Sequence, residues 1–394
     1  MKILIATLYL PYPNVPHGGG QDLFCLIREF GKRHTISVVS FADEEQAAHA
    51  ESLCPYVADL QLVMPAVTFH QKLDSVRTAL RKKVWWKWGS RADREMRNAI
   101  ANQAADVLLC VWTQMGRYLA AAPPGVLRVL DEVDVRFLVE QAPLTGHWPS
   151  SVRAARHRVQ ELAYCHSADL VLTRSTRDLE ALRLEYPNLV GLVLPPVANV
   201  SAFADICSEE SEPGYVLFAG AMDRSRNQAA AQWLVSEIWP KVFATCPEAT
   251  LRIVGANPPI KIKSLANMPG VQVTGWVPDL RTEYARARVI VAPMRSEAGA
   301  LNKVMDGLAA GRPVVATSLA NAGIGVPPDA ICLADDADSF ARAIVRLLQQ
   351  KDEWANASQA GRHFALTAFD WPKAVQRLES TLLQLVSQRR GSSK

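Results

Sequence analysis

The stretch Gly299-Ala300-Leu301-Asn302-Lys303-Val304-Met305-Asp306 concentrates the residue types that a bound anion needs. Small residues lead into a helical pattern that starts near Asn302. Unpaired N–H groups at a helix start carry partial positive charge, so they accept an anion readily. Lys303 adds a full charge where cations are normally disfavoured, which makes it a candidate anion ligand; a solvated helix start is the plain alternative. Glu297 and Asp306 are the nearby acids. Asp306 lies one turn past Asn302 and would reach ribose hydroxyls if the anion is a nucleotide diphosphate. Gly311 then stops the helix, and Val314–Ala316 reads as a buried strand.

Three other constellations follow strands. Pro16-His17-Gly18-Gly19-Gly20-Gln21 reads as a loop whose glycines let backbone approach a ligand, with His17 able to bond it. It does not have the G-x-G-x-x-G spacing of a dinucleotide site, and no G-x-S-x-G elbow exists to make it an esterase oxyanion hole. Asp131-Glu132-Val133-Asp134, with Arg136 close by, gathers carboxylates that raise one another's pKa and suit acid–base work, or else cap and decorate a surface. Gly220-Ala221-Met222-Asp223-Arg224-Ser225-Arg226-Asn227 puts two arginines beside a helix start, which suits phosphate charge. Separately, Arg81-Lys82-Lys83-Val84-Trp85-Trp86-Lys87-Trp88 interleaves bases and tryptophans. That composition fits peripheral contact with anionic lipid, an acceptor pocket, or simple packing.

The elements that carry these residues alternate. Strands are expected at Lys2–Leu8, Thr35–Ser40, Val107–Val111, Val126–Asp131, Leu170–Arg174 and Leu192–Leu194, with helices at Gln21–Lys32, around Asp93–Ala104 and at Ser151–His166. A second series opens at Tyr215–Ala219 and continues at Leu251–Val254, Val271–Val273, Val289–Val291, Val314–Ala316 and Ile331–Leu333, with a helix at Gln228–Val242. Strands separated by helices mean parallel, doubly wound α/β sheets. The polar, acidic stretch 198–214 reads as a linker between two such domains, residues 1–197 and 215–371.

Composition narrows the classes. The 394 residues suit two or three domains at roughly 150 residues each. A net charge of +4 gives no field for nucleic acid. Seven scattered cysteines without a C-x-x-C pair fit buried thiols in a reducing cytosol rather than zinc or disulfide chemistry. The apolar start is short and lacks an A-x-A site, so it reads as a first strand and the protein as cytoplasmic.

In this order the residues resemble a retaining glycosyltransferase of the GT-B type, family 4. The resemblance is strongest from Ala292 to Thr317, with support from Val273–Asp279, Phe218–Asp223, the N-terminal glycines and Phe369-Asp370-Trp371. It implies two Rossmann-like domains facing across a cleft, the N-terminal one for the acceptor and the C-terminal one for a UDP- or GDP-sugar, with a final helix, about 372–388, packing back onto the first. It implies that Arg226, Gly299, Ala300, Leu301, Asn302 and Lys303 meet the donor diphosphate, that Asp306 holds the ribose, and that Trp276 and Val277 lie at the base. Gly18, Gly19 and Gly20 then form the loop near the sugar and acceptor. His17 and Asp134 are the candidates for the catalytic position. No metal or other cofactor is implied. The acceptor is a saccharide, a lipid-linked glycan or a small molecule.

The departures are specific. The position that pairs with Asp306 holds Ala298, with Glu297 one place off; the second acid is aspartate where the family has glutamate. Val133-Asp134 stands near the usual histidine, and Ala221 where an arginine is usual. A nucleotide-sugar epimerase of the same fold, or a nucleotide-binding scaffold with little turnover, are the alternatives.

Overall fold

The strand cores of this chain are short runs of Val, Ile, Leu and Ala buried on both faces, as happens in parallel sheets covered by helices on both sides. The computed structural model describes residues 1–13, 15, 18–64, 89–135, 148–196, 200–203, 206, 211–295, 301–369 and 371–392. They form two compact units: Met1–Val197 with Pro372–Lys394, and Ala198–Trp371.

Unit 1 holds β1 (Lys2–Thr7), β2 (Thr35–Phe41), β3 (Asp59–Val63), β4 (Val107–Val111), β5 (Leu127–Glu132), β6 (Leu170–Thr173) and β7 (Gly191–Val193). They pair in parallel in the order β3-β2-β1-β4-β5-β6-β7. Unit 2 holds β8 (Tyr215–Ala219), β9 (Thr250–Val254), β10 (Val271–Gly275), β11 (Val289–Ala292), β12 (Val314–Ala316) and β13 (Cys332–Leu333), also parallel, in the order β10-β9-β8-β11-β12-β13. Both sheets are therefore doubly wound, as the alternating pattern predicts. In each the winding reverses once, between β1 and β4 and between β8 and β11. A crevice opens outside the carboxyl ends of the strands at such a reversal, and ligands of open α/β sheets bind there.

Several boundaries differ from the sequence expectation. β3 has no counterpart among the expected strands: Asp59-Leu60-Gln61-Leu62-Val63 is a half-polar edge strand with only Val63 buried. The three glycines are not a loop: Gly18–Gly20 form the first turn of a helix that runs to Phe30 and buries Leu23, Phe24, Leu26, Ile27 and Phe30. The helix expected at Gln228–Val242 begins at Ser225 and passes through a π turn at Leu234–Ile238 before continuing to Thr245. Within the stretch read as a linker, Phe203 and Ile206 are buried in the core of unit 2.

The final helix, Trp371–Ser392, buries Val375, Leu378, Leu382 and Val386. Its Glu379 pairs with Arg33 and with His34, both at 2.7 Å, and its Arg377 donates to the Val193 carbonyl at 2.9 Å. Among the described residues no helix is long and apolar enough to cross a membrane.

Candidate functional site

In unit 2 the carboxyl ends of β8 and β11 flank the reversal, and Lys303 reaches into it from the helix Asn302–Ala309. The residue is 7% exposed. Its Nζ donates to Asn227 Oδ1 at 3.0 Å, lies 3.8 Å from Met294 Sδ and sits 4.4 Å from the centre of the Phe218 ring. Each partner comes from a different element: Phe218 from β8, Met294 from just past β11, and Asn227 from the first turn of the helix Ser225–Trp233. Asn227 is itself held, donating to the Ala221 carbonyl at 2.8 Å, and Thr317 fixes Met294 by donating to its carbonyl at 2.8 Å.

Among the described residues no carboxylate partners Lys303. Burial above all, and then repulsion from Arg226 and Arg224, push its ammonium pKa down to about 7. A buried cation beside other cations is costly unless an anion joins it. The room for that anion is set by backbone. A Cβ on Gly220 would come within 3.1 Å of Lys303 Nζ, and a Cβ on Gly255 would come within 1.8 Å of the Gly220 carbonyl oxygen. The turns after β8 and β9 thus touch backbone to backbone, and Gly255 is required there. Neither the helix at Asn302, preceded by buried Leu301, nor the helix at Ser225 has a side-chain cap. Such helix starts carry the partial positive charge that suits an anion.

Asp306 lies three residues past Lys303 on the same helix. The residue is half-buried, and burial pushes its carboxyl up to about 7. Asn302 is exposed and Arg226 half-buried. Trp276 follows the left-handed Gly275 at the carboxyl end of β10 and is 71% exposed, while Val277 beside it packs on the core. Gly299, Ala300 and Glu297 lie outside the described residues. The structure thus brings Lys303 and Arg226 together and adds Asn227, Met294 and Phe218, which the sequence reading did not single out. Only the place of Asn227, in a helix start after a strand and a glycine, could have signalled it.

In unit 1 the acidic cluster resolves into three different environments. Asp131 is buried in a bidentate pair with Arg174 at 2.8 and 2.9 Å, and Arg174 Nε lies 3.5 Å from Asp22 Oδ2 on the glycine-led helix. Glu132 is fully buried, accepts from Thr113 and lies 3.8 Å from Cys165 Sγ. Burial, then the charge of Glu161, hold its carboxyl well above the usual range. Only Asp134 is exposed. This corrects the reading of the cluster as a shared acid–base group: two of its three acids are internal ties. His17 and the stretch Arg81–Trp88 lie outside the described residues, whereas Gly18, Gly19 and Gly20 start the helix, with Gly19 close to Val133 and Trp112.

Across the reversal of this sheet, Trp112 follows β4 with φ 74° and ψ 144°. Only it and Asn257 have positive φ among described non-glycine residues, and such a backbone costs on the order of 1–3 kcal/mol. Among the described residues no group of three or more His, Cys, Asp or Glu is placed to hold a metal ion.

Residues 213–350 match the family described as glycosyl transferases group 1. No curated protein matches the chain. Among solved structures it is similar to sucrose-phosphate synthase from Thermosynechococcus elongatus, with a TM-score of 0.75 at 18% identity over 98% of this chain and 100% of that one. It is similar to Anabaena HepE in complex with UDP, with a TM-score of 0.70 at 14% identity over 98% and 100%. It is also similar to WaaG, a glycosyltransferase involved in lipopolysaccharide biosynthesis, with a TM-score of 0.62 at 17% identity over 96% and 99%. The chain thus has the fold of the GT-B glycosyltransferases, two units each built on a parallel sheet, and its residues 213–350 match the glycosyl transferases group 1 family.

Proposed function

We propose that this protein transfers a sugar from a UDP- or GDP-sugar to an acceptor with retention of configuration and without a metal. The observation that carries the reading is the Lys303 ammonium, buried at the β8/β11 reversal with an amide, a thioether and a ring for partners and no acid among the described residues. A nucleotide diphosphate supplies the missing negative charge. In the reaction the bond from the anomeric carbon to the diphosphate breaks and negative charge grows on the departing oxygens. Lys303, Arg226 and the N–H groups at the Asn302 helix start stabilise that charge, and donors fixed before the reaction stabilise it best. Asp306 bonds the ribose, and the exposed indole of Trp276 stacks on the base, with Val277 beneath. The departing diphosphate takes the acceptor's proton on the face it leaves, so the new bond forms on that same face. Gly299 and Ala300 are assigned to the same diphosphate group by the resemblance alone. Asp134 and His17 act toward the acceptor side.

Support for the donor class comes from Anabaena HepE, whose structures hold UDP and UDP-glucose. The test is calorimetric titration of UDP and GDP into wild type, Lys303→Ala and Asp306→Ala. Losing a bond to a charged group weakens binding roughly 10- to 100-fold. Wild-type affinity in both variants would sink the assignment. Turnover of a UDP- or GDP-sugar panel, with the anomeric configuration of the product read by NMR, tests retention.

A further inference from the structure

Asn227 is the one oxygen-bearing partner of the Lys303 ammonium, and both ends of its amide are engaged. Oδ1 accepts from Lys303 Nζ at 3.0 Å and Nδ2 donates to the Ala221 carbonyl at 2.8 Å. Turning the amide over would set N–H groups against the ammonium and an oxygen against the carbonyl, so the two bonds fix one orientation. Both side chains are buried. Gly220 closes the third side: a Cβ there would come within 2.9 Å of Asn227 Nδ2 and 3.1 Å of Lys303 Nζ. The amide is thus pinned between the turn after β8 and the ammonium.

The other groups around Lys303 do not neutralise it. β8 brings the Phe218 ring and the end of β11 brings the Met294 thioether, which attract a cation only weakly. Arg226 and Arg224, at the start of the helix that carries Asn227, repel it. Asp306, the acid on Lys303's own helix, does not bond it. A carboxylate in the place of the Asn227 amide would hold the proton on Lys303 and cancel its charge within the protein. The amide has the same shape and accepts the same bond, yet it cancels nothing.

We infer that Asn227 is a positioning residue of the donor site, which aims the Lys303 ammonium at the diphosphate and, being uncharged, leaves the whole of that charge to the ligand. This rests on the nucleotide-sugar reading of the site. It carries a consequence for pH. Burial and the two arginines bring the free ammonium down to about 7, and a bound diphosphate raises it again. Above pH 7 the nucleotide therefore binds with uptake of a proton, and its affinity falls by up to roughly tenfold per pH unit.

The test is calorimetric titration of UDP and GDP into the full-length protein at pH 6, 7 and 8.5, in two buffers of different ionisation enthalpy so that protons are counted. Each variant is compared with wild type at the same pH, which cancels the titration of the nucleotide itself. Wild type is expected to lose roughly tenfold in affinity between pH 7 and 8.5 and to take up close to one proton per nucleotide at the higher pH. Asn227→Asp, nearly isosteric but charged, should bind roughly tenfold or more weakly at pH 7, with a flat profile to pH 8.5 and no proton uptake. Asn227→Ala leaves the ammonium only the thioether and the ring, so its loss of affinity should set in below pH 7. A residue that only packs would weaken binding by the same factor at every pH in both variants, and that result overturns the inference. So does wild type that binds a nucleotide without proton uptake at pH 8.5, or Asn227→Asp with the wild-type profile. Urea unfolding checks that the variants are folded; should Asn227→Ala not fold, the profile of Asn227→Asp decides alone. Wild type that binds neither UDP nor GDP at any pH overturns the donor reading, and this inference with it.

Discussion

Lys303 and Asp306 set opposite pH demands on one short helix. The Lys303 ammonium falls from 10.5 to about 7, so the folded state carries its full penalty below about 7 and is relieved as pH rises toward 10.5. The Asp306 carboxyl rises from 3.8 to about 7, so its penalty is absent below 3.8 and full above about 7. The two penalties overlap near neutrality, where these groups leave the ligand-free protein least stable. We expect Lys303→Met to melt higher than wild type at pH 7, by about 2–4 °C for each kcal/mol recovered, and the gap to shrink at pH 9.5. The same variant should lose nucleotide binding. Thermal melts at the two pH values, with and without UDP, check both; a variant less stable at pH 7 would show that the buried ammonium is satisfied without a ligand.

At the scale of elements, the close turns after β8 and β9 are the part of the proposed donor site least tolerant of change. Gly255→Ala sets a methyl against the Gly220 carbonyl, with backbone on both sides and nothing flexible to move. A cost of at least about 1–3 kcal/mol is expected, with weaker UDP binding because the turn beside Lys303 must shift. Urea denaturation and calorimetry read the two effects; wild-type values in both would mean that the turns have slack. Much of this architecture is legible in the sequence. The runs Tyr215–Ala219 and Val289–Ala292 read as buried strands because they are apolar throughout, and Lys303 was conspicuous because a cation opens its helix. What the sequence hides is contact across it. Nothing local tells that Lys303 meets Asn227, 76 residues away, or that Glu132 is internal while Asp134 faces solvent. The glycines at 18–20 read as a loop because glycine is poor in helices. They start one here because the helix must pass close to Val133 and Trp112.

For the whole molecule, the last element matters to the first. Leu378, Leu382 and Val386 recur every four residues and bury one face of the final helix in unit 1, while Glu379 grips Arg33 and His34. Arg33 and His34 hold the Glu379 carboxyl below its usual range despite partial burial, so its stabilising contribution is present at neutral pH and lost in acid. Removing the residues after Trp371 should strip amide-exchange protection from β1 and β2 while leaving β8 and β11 protected. Equal loss in both sheets would contradict that division. Unit 1 is also interrupted in the chain: it opens at residue 1, stops at 197 and resumes only at 372. Nascent domains ordinarily fold in the order in which they are made. Here the unit translated first is the one completed last. Unit 2 has its whole sequence synthesised before the last helix of unit 1 is made, so during synthesis the exposed apolar face belongs to unit 1 and is the surface a chaperone would meet.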